Sequence, residues 1–320
     1  MLKPHTKRNI FILLSIICVI SIIFIESSLP QEHKKTQQFT IQLNTNKILD
    51  NQYLFLIGLS SAVYLIIIFL GLFSLIKFII YNFKKPLFVF PKQNKSLPLS
   101  QVSASQLIFL ILFIILFFYL IQWLIIFFKL KINLIGFNLS ANFLVETIAI
   151  LLLIKYLTTG YLNFKLSIAN VTNATRKYLI ILPVIIGTVL INNFVLEKIG
   201  IEISVNPAIE LFLKIKSLLW LSVLTFQIVI LGPIAEELFF RGFIYKLLRK
   251  RCGFLVSAAA SSVLFAALHR SNEDILPISV LAIALCYVYE KTNDITSPIL
   301  LHVIHNSLSV SFLLLFKILA

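Results

Sequence analysis

Apolar runs longer than a soluble core helix requires recur along this chain, at residues 53–75, 105–128, 143–162 and 178–196. A bilayer's hydrocarbon core is about 30 Å thick, and a helix needs about 20 apolar residues to cross it. Inside lipid every backbone N–H and C=O must bond within the protein, so a spanning segment is either a helix or a strand of a closed barrel. These runs show no period-two alternation and the whole chain holds only nine glycines, which argues against a barrel. With 59% hydrophobic residues, 13% charged residues and a mean hydropathy of +0.98, the 320-residue chain is expected to form an all-α, polytopic transmembrane helix bundle. The apolar stretches allow about 8 to 9 membrane helices.

The net charge of +15, from 28 Lys and Arg against 13 Asp and Glu, would suggest nucleic acid in a soluble protein. Here the cations gather in short loops between apolar runs, where they orient the chain and imply a lipid partner instead of nucleic acid. Lys3, Lys7 and Arg8 precede an apolar stretch at residues 10–25, and Glu26-Ser27-Ser28-Leu29-Pro30 after it offers no small-x-small cleavage site. The expectation is an uncleaved signal anchor with the N-terminus cytoplasmic. Lys77, Lys84, Lys85, Lys92 and Lys95, then Lys155, Lys165, Arg176 and Lys177, then Lys246, Arg249, Lys250 and Arg251 fall on the inner side in that register. The expected location is a multi-pass protein of the bacterial plasma membrane. Cys18, Cys252 and Cys286 have neither a disulfide framework nor metal-ligand spacing.

Residues 1–200 carry no chemical motif; Glu146, Lys155, Asn192 and Asn193 read as helix–helix contacts or snorkelling ends. Residues 201–320 differ in kind. One helix is expected over residues 217–248, about 46 Å at 1.5 Å per residue, and it contains Gly232-Pro233-Ile234-Ala235-Glu236-Glu237-Leu238-Phe239-Phe240-Arg241. A charge at the bilayer centre costs at least about 2.5–3.5 kcal/mol, so three within six residues require partners or a cavity. Glu237 and Arg241 are spaced i, i+4 with the acid first, the favoured order for a helical ion pair. Glu236 lies about 100° away around the helix. It is left as a partly desolvated carboxylate, the better candidate for proton transfer.

Two further polar islands follow. Phe265-Ala266-Ala267-Leu268-His269 closes a helix that begins with the small-residue stretch Ser257 to Ser262, which allows close helix approach. Phe265 precedes His269 by one turn and can pack on its ring. In Ser297-Pro298-Ile299-Leu300-Leu301-His302-Val303-Ile304-His305-Asn306, Ser297 reads as a helix N-cap. His302 and Asn306 stand on one face, with His305 off it. For the islands to meet, the polar turn at residues 270–274 must line a wet cavity at membrane depth.

In this order and spacing, Glu-Glu-x-x-x-Arg, Phe-x-x-x-His and His-x-x-x-Asn resemble the CAAX-protease and bacteriocin-processing (CPBP) family, the type II CAAX prenyl endopeptidases and their bacterial relatives. The resemblance covers about residues 217–313, including Tyr287-Val288-Tyr289-Glu290-Lys291-Thr292. It departs where Ala282 and Ala284 replace expected small glycines. It implies that residues 201–320 form a catalytic membrane domain. It also implies that Glu236 and His269 activate a water, that His302 and Asn306 stabilise the oxyanion, and that Glu237, Arg241 and Phe265 support them. The implied substrate is a membrane-associated or prenylated peptide. A zinc-dependent hydrolase with Glu236, His269 and His302 as ligands is a second mechanism. A proton-coupled transporter and a non-catalytic immunity or scaffold protein are readings of other classes.

Overall fold

The computed structural model describes residues 51–82, 134–158, 167–201, 207–269 and 274–319, with isolated positions between 109 and 128. The signal anchor, most of the 105–128 run, several basic loop residues and residues 270–273 of the polar turn lie outside them. In chain order the continuous helices are α1 (Asn51–Asn82), α2 (Leu134–Thr158), α3 (Ile168–Lys198), α4 (Pro207–Lys214), α5 (Leu218–Arg249), α6 (Phe254–Ala267), α7 (Ile275–Thr292) and α8 (Thr296–Leu319). Among the described residues there is no strand, and six helices are long and apolar enough to cross a membrane. The all-α polytopic expectation holds, and the chain is an integral multi-pass membrane protein.

The helices fall into two compact units. α2 belongs to the first, where it buries Leu139 and Leu153. The other seven helices form the second unit, organised around α7: 44% of its spanning window is buried, against 6% for α1. α7 packs on α3, α6 and α8. Tyr178, Leu182 and Ile185 of α3 meet Leu281, Leu285 and Val288 of α7 and Leu301 of α8. The outer faces stay apolar and exposed, as at Phe69 and Ile80 on α1. Lipid tails are as apolar as leucine, so such burial drives helix association little; close approach and interhelical polar contacts decide the pairing.

Both devices are visible. α1 approaches α3 at Gly71, where a β-carbon would stand 3.0 Å from the Leu179 carbonyl oxygen and 3.2 Å from Pro183 Cγ. On α6 the small residues Ser257, Ala258, Ser261 and Ser262 are buried, and α6 packs on α7. At the far end of α8, Lys317 Nζ donates to the Phe212 and Leu213 carbonyls, 3.1 and 2.6 Å away, satisfying the C-terminal end of α4.

The α7–α8 joint corrects the expected cap. Asn293 ends α7 in the left-handed region at φ 49°. Asp294 then caps α8: its carboxylate accepts the Thr296 and Ser297 amides at 3.1 and 3.2 Å and the Ser297 hydroxyl at 3.2 Å. Ser297 is therefore bound by the cap instead of forming it. A carboxylate can take several orphan N–H groups at once, where a hydroxyl takes one.

α5 is also less regular than expected. It spans the anticipated length, but π-helical turns at Gln227–Leu231 and Phe240–Tyr245 flank the α-helical Gly232–Phe239. Turns of this kind occur mostly as single insertions in α-helices, frequently at functional sites.

Candidate active site

Glu236 and Glu237 are adjacent in the chain but face different surroundings. Glu237 is fully buried, and its Oε1 accepts from Arg241 Nη1 at 2.6 Å and from His302 Nδ1 at 2.9 Å. Arg241 is 1% exposed. Its Nη2 donates to the Ala282 carbonyl at 3.0 Å, and its guanidinium lies 4.8 Å from the centre of the Phe265 ring. The expected i, i+4 pair is present, but it is a junction of four helices: α5 supplies Glu237 and Arg241, α6 Phe265, α7 the Ala282 carbonyl and α8 His302. Ala282, where a glycine was expected, also packs with Phe240 and Phe265. Removing one member of a buried ion pair leaves the other uncompensated, at about 3–5 kcal/mol.

Glu236 keeps 35% of its side-chain surface exposed, and its Oε2 stands 3.7 Å from His302 Nε2. That is beyond hydrogen-bond length. His302 thus stands between the two carboxylates with one ring nitrogen towards each. Glu237 Oε1, a carboxylate oxygen that accepts from Arg241, accepts from His302 as well, so Nδ1 carries hydrogen and Nε2 looks towards Glu236. A bond to one nitrogen in this way fixes the tautomer and the ring orientation.

His269 ends α6. Its Nδ1 is 2.8 Å from the Phe265 carbonyl oxygen, which can only accept, so the hydrogen sits on Nδ1 and Nε2 is the free nitrogen. Its ring centre is 4.6 Å from that of Phe265, as the one-turn spacing implied. Phe265 is buried and also faces Phe240 at 4.9 Å and His302 at 5.9 Å. It is a common wall for both histidines and Arg241. Among the described residues no hydrogen bond or ion pair joins His269 to Glu236; the shared wall is what relates them.

Asn306 lies one turn beyond His302, and its Nδ2 donates to the Ile228 carbonyl, 2.8 Å away in the first π turn of α5. His305 turns to α3, where its Nδ1 is 3.2 Å from the Tyr178 hydroxyl. The two histidines of this helix therefore serve different contacts. Among the described residues no three His, Cys, Asp or Glu side chains are arranged to hold a metal ion. Glu236, His269 and His302, the side chains a zinc-dependent mechanism would use, do not form such a group.

Several participants carry little sequence signal. The Ala282 and Ile228 carbonyls are backbone atoms, and Tyr178 lies more than 120 residues from His305. A second ionic cluster joins the C-terminal ends of α5 and α7. There Glu290 Oε2 accepts from the Tyr245 hydroxyl at 2.6 Å, and Oε1 from Arg249 Nε and Nη2 at 3.0 and 2.9 Å. Glu290 lies in the segment that carries the family resemblance, but nothing local to it names its partners.

Fold and site together define a polytopic helical membrane protein whose C-terminal helices gather a buried Glu–Arg–His cluster beside a second, accessible glutamate. Residues 218–308 match the family described as "Type II CAAX prenyl endopeptidase Rce1-like", so the resemblance carried by the three motifs is shown for that stretch. Over 81 residues the chain is 31% identical to "Putative membrane peptidase YdiL" of Bacillus subtilis (strain 168), which covers 25% of this chain and 33% of that protein. The chain thus matches about a third of the length of this curated relative. No solved structure matches it.

Proposed function

We propose that this chain is a membrane endopeptidase, with residues 201–320 as its catalytic part and residues 1–200 in a role not defined by any motif. Its substrate is a membrane-associated or prenylated peptide cleaved near the membrane surface. The observation that carries the reading is the division of labour between neighbouring carboxylates: Glu237 is fully buried and bound to Arg241 and His302, while Glu236 keeps a third of its surface accessible beside His302.

In the proposed reaction Glu236 takes a proton from water as the water oxygen bonds to the scissile carbonyl carbon. His269, with Nε2 free to accept, shares in orienting that water. The carbonyl becomes an oxyanion held by donors from His302 and Asn306. For His302 this requires the doubly protonated ring, with Nδ1–H on Glu237 and Nε2–H towards the site. The proton on Glu236 then passes to the leaving nitrogen as the C–N bond breaks, restoring the carboxylate. Preorganised donors of this kind each account for about 2.7–4 kcal/mol of barrier lowering, and no serine or cysteine nucleophile is needed.

The test is cleavage of a fluorescence-quenched S-farnesyl peptide and its unprenylated counterpart by the full chain in proteoliposomes, with Glu236→Ala and His269→Ala alongside. The wild type is expected to cleave and both variants to lose activity by a factor of about 10²–10⁴. Equal cleavage by all three would sink the assignment. Dialysis against a chelator separates the two mechanisms: cleavage that survives it supports the glutamate mechanism, and cleavage that is lost and returns with zinc supports the zinc-dependent one.

A further inference from the structure

The first π turn of α5 stands against the third motif, and its cause is readable in the chain. In an α-helix the Ile228 carbonyl would accept the amide of residue 232, four positions on. Here the Gly232 N–H bonds instead to Gln227, five positions back. The next amide along is that of residue 233, and Pro233 has no N–H to give. Neither of the two nearest donors therefore serves the Ile228 oxygen, and it is this oxygen that accepts from Asn306 Nδ2 at 2.8 Å. Gly232 eases the turn, since a β-carbon there would stand 3.1 Å from the Gln227 carbonyl oxygen, a tight contact.

We infer that Pro233 is a positioning residue: by withholding an N–H from α5 it frees the Ile228 carbonyl, which orients the Asn306 amide for the oxyanion. This rests on the role proposed above for Asn306. Nδ2 carries two hydrogens, so one can bind the Ile228 carbonyl while the other faces the reacting carbonyl oxygen. A carbonyl fixed by main-chain geometry holds the amide plane without a flexible partner. The same proline begins the turn that carries Glu236 and Glu237, so one residue sets both the base and an oxyanion donor.

Substituting Pro233→Ala restores the missing amide and allows α5 to close regularly, removing the orphan that holds Asn306. The variant is expected to lose about 10²-fold in kcat on the S-farnesyl peptide, the loss typical of one oxyanion donor, with KM within about threefold. Its thermal unfolding midpoint is expected to stay or rise, because a helix hydrogen bond is gained. A merely structural proline would show the opposite, a lower midpoint with kcat retained in the folded fraction. Asn306→Ala and the double variant complete the cycle: if Pro233 acts through Asn306, the double variant is no slower than Asn306→Ala alone. Wild-type kcat in Pro233→Ala beside a slow Asn306→Ala overturns this inference only; wild-type kcat in Asn306→Ala overturns the oxyanion assignment itself. Pro233→Ser repeats the test if the alanine variant does not fold. Nitrogen-15 NMR of asparagine-labelled protein checks the geometry without substrate: the Asn306 side-chain amide signal is expected to move in Pro233→Ala, and an unmoved signal overturns the proposal.

Discussion

α5 takes part in two ionic clusters that share their chemistry and differ in setting. Near its middle, Glu237 and Arg241 are 0% and 1% exposed, and the pair reaches His302 and through it Glu236. At its C-terminal end, Arg249 and Glu290 keep 15% and 12% of their surface, and the Tyr245 hydroxyl completes the contact. In the end cluster both carboxylate oxygens of Glu290 are bound. In the central one Glu237 Oε2 has no hydrogen-bond partner among the described residues. A saturated cluster fastens two helices. The central cluster leaves an acceptor open and aims a histidine at a second carboxylate, the arrangement on which the proposed reaction draws.

The sharpest way to break that distinction is Glu236→Gln, which keeps shape and removes the proposed base. Cleavage of the S-farnesyl peptide is expected to fall by a factor of about 10²–10⁴, equivalent to about 3–5.5 kcal/mol of barrier. The unfolding midpoint should hardly change, because Glu236 is partly exposed and lies outside hydrogen-bond reach of His302. An equally active variant with an unchanged midpoint would remove Glu236 from the chemistry.

Next in size is Arg241→Ala. It leaves Glu237 buried with His302 alone and frees the Ala282 carbonyl, at a stability loss of about 3–5 kcal/mol. Denaturant titration in detergent reads the loss directly. A loss below about 1 kcal/mol would mean that water reaches the pair and that the central cluster resembles the outer one.

Glu290→Gln probes the outer cluster. Hydrogen bonds to a charged group are worth about 1.5–3 kcal/mol, so a stability decrease in that range is expected while kcat of the folded protein stays within about threefold. A large fall in kcat at unchanged stability would show that the two clusters communicate along α5.

The smallest effect is expected from Tyr178→Phe, which deletes only the hydroxyl facing His305. About 0.5–1.5 kcal/mol of stability should go with it and cleavage should persist. Loss of cleavage would move His305 from a packing contact into the active site.

How much of this was legible without coordinates differs by kind of interaction. The Glu237–Arg241 pair follows from i, i+4 spacing, and so does the approach of Phe265 to His269, since both are properties of a single helix. The contacts of Glu237 with His302 and of Arg241 with Ala282 cross between helices, and no local periodicity specifies them. The N-cap expected at Ser297 shows the limit on a smaller scale. Serine before proline is a sound local signal, but Asp294, three residues earlier, starts the helix sooner by accepting the Thr296 and Ser297 amides, one on each carboxylate oxygen, and it also binds the Ser297 hydroxyl.

The sequence by itself determined the class of molecule, because about 20 apolar residues in lipid leave the backbone no alternative to an internally bonded helix. It also determined which residue types the C-terminal helices carry and, through helical geometry, that Glu236 and Glu237 must face different ways. Only the tertiary structure decided that the Glu237–Arg241 pair is buried at a junction of four helices, that His302 stands between the two carboxylates, and that Asn306 meets a carbonyl released by the π turn before Pro233. Those outcomes depend on the depth and rotation at which separate helices pack. In lipid, where apolar faces are nearly interchangeable, that choice is made by small-residue contacts and buried polar bonds between segments far apart in the chain.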